Sequence, residues 1–224
     1  MAFIFLGLSF VFAILNWIAV YDAYKVNRPL EIIAKPGMII CLLLYFLTAR
    51  SQAPVLTWFG LGILFSAAGD IFLLLPGNWL MAGLFAFLIT HICYIIGFNT
   101  PLPQLTSWSL LFALTYALTA TRIYRRIATA LTGKNLQHMK TPVLVYIVAI
   151  TLMLLSATLT LSRPDWKAGP AAMVFLGAGL FFLSDINQAL YRFEAPTRRG
   201  RFIIMLTYQL GQIGLITGAI LQFQ

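Results

Sequence analysis

The amino-acid sequence predicts an all-α, polytopic membrane protein with eight transmembrane helices. Three observations carry that expectation: an apolar, charge-poor composition, eight apolar stretches of spanning length, and a lopsided distribution of basic residues among the connections. Of the 224 residues, 61% are hydrophobic and 9% charged, whereas a soluble domain carries roughly a quarter charged residues. Apolar spans occupy nearly the whole length, so residues 1–224 are expected to form a single integral membrane domain.

A hydrocarbon core about 30 Å thick takes roughly 20 apolar residues of helix. The first span, at about 3–21, lacks the basic leading region and small-residue cleavage site of a signal peptide, so it is expected to stay as a helix. The second, about 33–49, follows Pro29 and reaches spanning length by starting before Pro36, in a first turn that tolerates proline. The third and fourth, about 54–75 and 79–98, are separated by the Pro76-Gly77-Asn78 turn. The fifth, about 105–121, follows Pro101 and Pro103, and the sixth, about 142–162, starts at Pro142. The seventh, about 169–191, follows Pro164, and the eighth, about 202–222, follows Pro196.

Charge tests this count independently. Twelve of the 15 Lys and Arg fall in the first, fifth and seventh connections: Lys25, Arg28, Lys35; Arg122, Arg125, Arg126, Lys134, Lys140; Arg192, Arg198, Arg199, Arg201. Arg50, Arg163 and Lys167 make up the other side. The positive-inside rule then sets both termini outside the cytoplasm, as in a bacterial inner (cell) membrane protein. The net charge of +9 is accounted for by topology, and no nucleic-acid partner is expected.

Two carboxylates lie where lipid should be. Asp70 and Asp185 each sit sixteen residues into their span, with Gly62 and Gly177 eight residues earlier, as two parallel four-helix halves (a 4+4 repeat) would give. An aspartate inside a membrane helix costs about 2.5–3.5 kcal/mol on insertion scales. Asp70 lies about five residues, roughly 7 Å, from its span's end, and Asp185 roughly 10 Å from Arg192. Both fall at similar depth under the same surface, near the level of a phospholipid's glycerol.

Helical spacing groups further polar residues. Gly62, Ser66 and Asp70 share a line on the third span, and Gly177, Phe181, Asp185, Gln188 and Arg192 one on the seventh. Gly83, Phe87, His91 and Tyr94 share a face of the fourth, and Tyr208 and Gln212 one of the eighth. His91 is expected deeper than the aspartates, near the midplane. Interhelical hydrogen bonding alone would also account for His91, Tyr208 and Gln212, and Lys35 has the reach to snorkel. Asp22, Glu31, Asp165 and Glu194 fall at span ends or in loops, where solvation is the default. With only His91 and His138, and Cys41 and Cys93 in separate spans, no metal site and no cofactor are expected. Neither a Gly-x-Ser-x-Gly elbow nor a Walker loop occurs.

The segments "AAGDIFLLL", "GLFAFLITHICYIIGF", "LFFLSDINQALYRF" and "YQLGQ", with the "KP" at Lys35 and Pro36, resemble in that order the segments of the YhhN-like lysoplasmalogenase family of multi-pass membrane hydrolases. The resemblance runs from about residue 30 to the C-terminus and marks Lys35, Asp70, His91, Tyr94, Ser184, Asp185, Tyr208 and Gln212. Asn187 and Gln188 stand where the family tends to be apolar, and Gln209 where a second tyrosine often follows; these departures bear on substrate identity. The resemblance implies hydrolysis of the vinyl ether bond of a lysoplasmalogen, giving a fatty aldehyde and a glycerophospho-base. Protonation at carbon followed by water attack suits two carboxylates, one as acid and one ionised, as in glycoside hydrolysis. Asp70 and Asp185 are the expected catalytic pair, with the assignment of the acid left open between them. Lys35, His91, Tyr94, Ser184, Gln188, Arg192, Tyr208 and Gln212 are expected to bind substrate or support the pair, Lys35 and Arg192 holding its phosphate. The expected partners are a lysophospholipid substrate and membrane lipids. Intramembrane acids equally mark proton-coupled or lipid transporters, and a non-catalytic lipid-binding protein is the third class the pattern admits.

Overall fold

Whether a helix forms and where it stops follow here from local chemistry, and the computed structural model, which describes residues 1–224, holds eight long helices and no strand. They are α1 (Ala2–Val20), α2 (Arg28–Ala49), α3 (Leu56–Leu74), α4 (Leu80–Phe98), α5 (Ser107–Gly133), α6 (Lys140–Leu159), α7 (Ala168–Phe193) and α8 (Gly200–Phe223). Short 3-10 turns flank α6 at Gln137–Met139 and Thr160–Ser162. Seven of the eight long helices are long and apolar enough to cross a membrane; α5 is the exception.

Two boundaries differ from expectation. α2 starts at Arg28, because the Asn27 side chain accepts a hydrogen bond from the Leu30 amide (3.2 Å) and Pro29 fits the first turn. Pro36 is therefore inside the helix and not in its first turn. α5 runs well past residue 121, so most of the expected basic loop from Arg122 to Lys140 is helical. The extension is amphipathic: Ile127 and Leu131 pack with Met139, Val143, Ile147 and Phe193, while Arg122, Arg125 and Arg126 stay exposed. A capping box between Thr106 and Ser109 opens α5. Its Tyr116 hydroxyl lies 3.0 Å from Thr158 Oγ1, near the far end of α6. α5 thus runs antiparallel along the full length of the spanning helix α6, and arginines lower its hydropathy without shortening it.

Each helix packs on its neighbour around a closed ring, α1–α2–α3–α4–α6–α7–α8 and back to α1, with α5 outside against α6 and α7. α1, expected as a retained helix, buries Ala13, Asn16 and Val20 in this ring. α7 and α8 approach most closely. A Cβ on Gly177 would lie 2.6 Å from the Leu215 amide nitrogen, and one on Gly211 2.8 Å from that of Phe181. Backbone meets backbone there, which only glycine allows. Away from the site, Arg163 fastens the α4 end by donating to the Phe98 carbonyl (2.7 Å) and forking onto Asp165 (3.0 and 2.6 Å). That side-chain hydrogen bonding holds the Asp165 carboxyl below its ordinary value of 3.8.

Candidate active site

A buried carboxyl group needs polar partners to stay in a membrane interior; Asp70 has a counter-charge and a hydroxyl donor, and Asp185 has hydrogen-bond donors alone. Asp70, 1% exposed, has its Oδ1 3.0 Å from the Lys35 ammonium of α2 and its Oδ2 2.7 Å from the donating Tyr208 hydroxyl of α8. The donors continue inward. Tyr208 OH lies 2.8 Å from Ser66 Oγ, Gln212 Nε2 donates to Ser66 Oγ (2.6 Å), and Tyr94 OH donates to Gln212 Oε1 (2.8 Å). Because Tyr208 gives its proton to Asp70, Ser66 donates to Tyr208 and every link has one orientation. Gly62 makes this geometry available: its missing Cβ would sit 2.1 Å from Tyr94 Cε1.

Asp185 is held differently. Its Oδ2 accepts from the Tyr146 hydroxyl of α6 at 2.5 Å, and His91 Nε2 of α4 lies 3.2 Å from the same oxygen and 3.1 Å from Tyr146 OH. Both bonds use Oδ2, so Oδ1 has no protein partner. With Tyr146 donating to Asp185, the fully buried His91 carries its proton on Nε2, and its Nδ1 has no partner. Phe87, Phe181 and Tyr208 pack edge to face on one another, with centroid separations of 5.3–6.3 Å.

Both aspartates line one cavity of about 500 Å³. Lys35, Ser184, Gln188, Arg192 and Tyr208 line it too, with Arg28, Glu31 and Arg201 towards the helix ends. A second, apolar cleft adjoins it among α4, α5, α6 and α7, walled by Leu84, Ile123, Ile127, Val143, Ile147 and Ile150. Leu73, Phe87, Asp185, Gln188 and Arg192 face both spaces. Asp185 therefore stands at the junction of a charged chamber and a hydrocarbon-lined cleft.

The structure brings Asp70, Asp185, Lys35, Gln188, Arg192 and Tyr208 together around the chamber. His91, expected deeper than the aspartates, touches Asp185 directly. Tyr94 and Gln212 stand behind the chamber in the hydrogen-bond chain. Ser184 donates to the Ile204 carbonyl (3.0 Å), which ties α7 to α8. Glu31 is not solvated: it is 2% exposed and paired with Arg28 and Arg201. Tyr146 and Arg201 escaped the sequence reading. Tyr146 carried the same signal as Tyr208, a lone hydroxyl in an aliphatic run, but no second polar residue at helical spacing drew attention to it.

Fold and cavity define a polytopic helical membrane protein that encloses paired carboxylates in a chamber beside an apolar cleft. The chain belongs to the YhhN family, whose model matches residues 30–219. It is 30% identical over 186 residues to the human lysoplasmalogenase TMEM86A, covering 78% of this chain and 69% of that protein. It is 26% identical over 179 residues to the membrane protein YhhN of Escherichia coli O157:H7 and of Shigella flexneri, covering 79% of this chain and 81% of each relative. No solved structure matches significantly. The family resemblance noted from the motifs is thereby established, as is integral membrane character.

Proposed function

We propose that the protein hydrolyses the vinyl ether bond of lysoplasmalogens, with Asp185 as proton donor and Asp70 as the ionised partner. The observation that carries this reading is Asp185 at the boundary between charged chamber and apolar cleft. A lysolipid has its ether bond at the same kind of boundary, between a phosphorylated glycerol and a hydrocarbon chain. Kinship with a human lysoplasmalogenase supports the reaction class.

The chemistry runs through named atoms. Asp185 Oδ1, free of protein partners, delivers a proton to the vinyl carbon remote from oxygen. The double-bond electrons become the new C–H bond, and the ether oxygen shares its lone pair with the adjacent carbon to give an oxocarbenium ion. Asp70, anionic beside Lys35, stabilises that cation across the chamber. Water adds to the cationic carbon and its proton returns to a carboxylate. The hemiacetal then collapses to fatty aldehyde and glycerophospho-base, so atoms and charge balance. Tyr146 and His91 orient Asp185, and the chain from Tyr94 through Gln212 and Ser66 orients Tyr208 on Asp70. Lys35 is engaged by Asp70, which leaves the substrate phosphate to the arginines of the chamber. We further propose a cytoplasmic chamber mouth and non-cytoplasmic termini in a bacterial inner membrane. The skew of Lys and Arg supports that orientation, and reporter fusions at Arg50 and Lys134 should read outside and cytoplasmic respectively.

The direct test is fatty aldehyde release by the purified protein from a defined alkenyl lysophospholipid. Release lowered by about a hundredfold or more in Asp185→Asn is the expected result. Uptake of intact lysolipid into sealed vesicles without aldehyde would overturn it in favour of a carrier.

A further inference from the structure

A glutamate in the first turn of a membrane helix is normally solvated, yet Glu31 is 2% exposed. Its Oε2 accepts from Arg28 Nη1 at 2.8 Å, and its Oε1 accepts from Arg201 Nη2 of α8. Both arginines line the charged chamber beside Arg192 and Lys35. A buried carboxylate between two guanidiniums is costly as a stability device, since desolvation offsets the attraction. It does fix two otherwise flexible side chains in one geometry, and each guanidinium keeps donors that Glu31 does not use. Four basic side chains face three acidic ones around the chamber, so cations stay in excess after all internal pairing. Lys35 is consumed by Asp70.

We infer that Arg28 and Arg201, positioned by Glu31, form an anion clamp that, with Arg192, takes the phosphodiester of a lysophospholipid headgroup. This rests on the lysolipid reading of the same chamber. The fork of an arginine suits a phosphate's paired oxygens, and two forks held by one carboxylate present a preorganised cradle. Arg28 and Arg201 come from helix ends far apart in the chain, so the clamp exists only when α2 and α8 are docked.

The experiment measures binding apart from chemistry. Wild-type protein in detergent is titrated with a non-cleavable 1-O-alkyl-glycerophosphoethanolamine, with 1-O-alkylglycerol, and with inorganic phosphate, following the shift in thermal midpoint. Arg201→Gln and Arg28→Gln are each expected to weaken the phospholipid by about tenfold or more and to leave alkylglycerol unchanged. Glu31→Gln should weaken the phospholipid likewise, with partial recovery in Glu31→Asp. Inorganic phosphate should give no shift at matched concentration. Equal weakening of both lipids, or none of either, overturns the clamp. An Arg201-dependent shift from inorganic phosphate as large as that from the lipid overturns the headgroup assignment. If Arg201→Gln does not fold, Arg201→Lys keeps the charge without the fork and must still show the phospholipid-specific loss. In the cleavage assay the clamp variants should raise KM for the alkenyl lysophospholipid with kcat nearly unchanged. Absent aldehyde from wild-type protein would reject the hydrolase reading while the binding arms still decide the clamp.

Discussion

The Lys35 ammonium lies 3.0 Å from Asp70 Oδ1, with both side chains nearly sealed from the surroundings, at 6% and 1% exposure. From sequence alone Lys35 is a snorkelling residue or a phosphate holder; in the fold it is the counter-ion of a catalytic candidate. Breaking a buried pair from one side costs more than removing both partners, because it strands a charge. Lys35→Met should therefore lose on the order of 3–5 kcal/mol of stability together with turnover. Adding Asp70→Asn should recover most of the stability and none of the turnover. Denaturation midpoints and aldehyde release for the single and double variants check this cycle. A folded, stable Lys35→Met protein with normal turnover would remove Asp70 from the mechanism.

Asp185, Tyr146 and His91 form a closed three-membered cluster, in which Tyr146 makes the shortest bond. Asp185→Asn and Asp70→Asn each lose acid–base capacity and should lower kcat by about a hundredfold or more. Tyr146→Phe keeps the ring but lets Asp185 turn, so kcat should fall by roughly tenfold while KM stays near wild type. Steady-state kinetics separate the two behaviours. A Tyr146→Phe variant that changes only KM would make Tyr146 a binding residue.

The elements were legible because a membrane simplifies the sequence code: apolar length and loop charge report helices almost directly. The misses all depend on tertiary packing. Hydropathy treats arginines as a stop signal, yet α5 continues through Arg122, Arg125 and Arg126 because Ile127 and Leu131 have a partner surface on α6 and α7. Glu31 looked solvated because its partner Arg201 lies 170 positions away in the chain and reaches it only when folding brings α8 onto α2. Depth along a helix was readable, and it set both aspartates on one chamber. Which hydroxyl meets which carboxylate was not, since that depends on helix rotation and on contacts such as Gly62 with Tyr94. The 4+4 repeat stays a proposal, supported by matched partners: Asp70 is held from α2 and α8, Asp185 from α6 and α4.

Asp165 supplies a pH test outside the membrane. Its folded carboxyl is held below 3.8 mainly by the Arg163 fork. A depressed carboxylate contributes stability above its unfolded value and loses it as pH falls through the folded one. The thermal midpoint of wild type should therefore exceed that of Asp165→Asn near neutral pH, and the gap should close as pH falls below 3.8. The gap should be small, because the Asp165 side chain is 48% exposed. A gap that persists in acid would mean Asp165 acts through packing and not through its charge.

The apolar cleft makes a claim about the substrate's tail. Ile123 on α5 and Ile147 on α6 both line the cleft, which Asp185 also borders. If the alkenyl chain leaves the junction through this cleft, a bulky ring there should collide with a long chain and leave a short one room. Ile123→Trp is the gentler substitution, since Ile123 is half-buried whereas Ile147 is 7% exposed and packed in the core. Overpacking of this kind should lower kcat/KM for long-chain lysoplasmalogens by roughly tenfold. Short-chain substrates should keep near-normal turnover. Ile123→Ala should shift preference the opposite way without disturbing the Asp185 cluster. Competition between long- and short-chain substrates in one vessel gives the ratio directly, free of differences in protein recovery. Equal loss for both chain lengths would mean the ring acts by displacing α5, and no change for either would send the chain out of the chamber by another route.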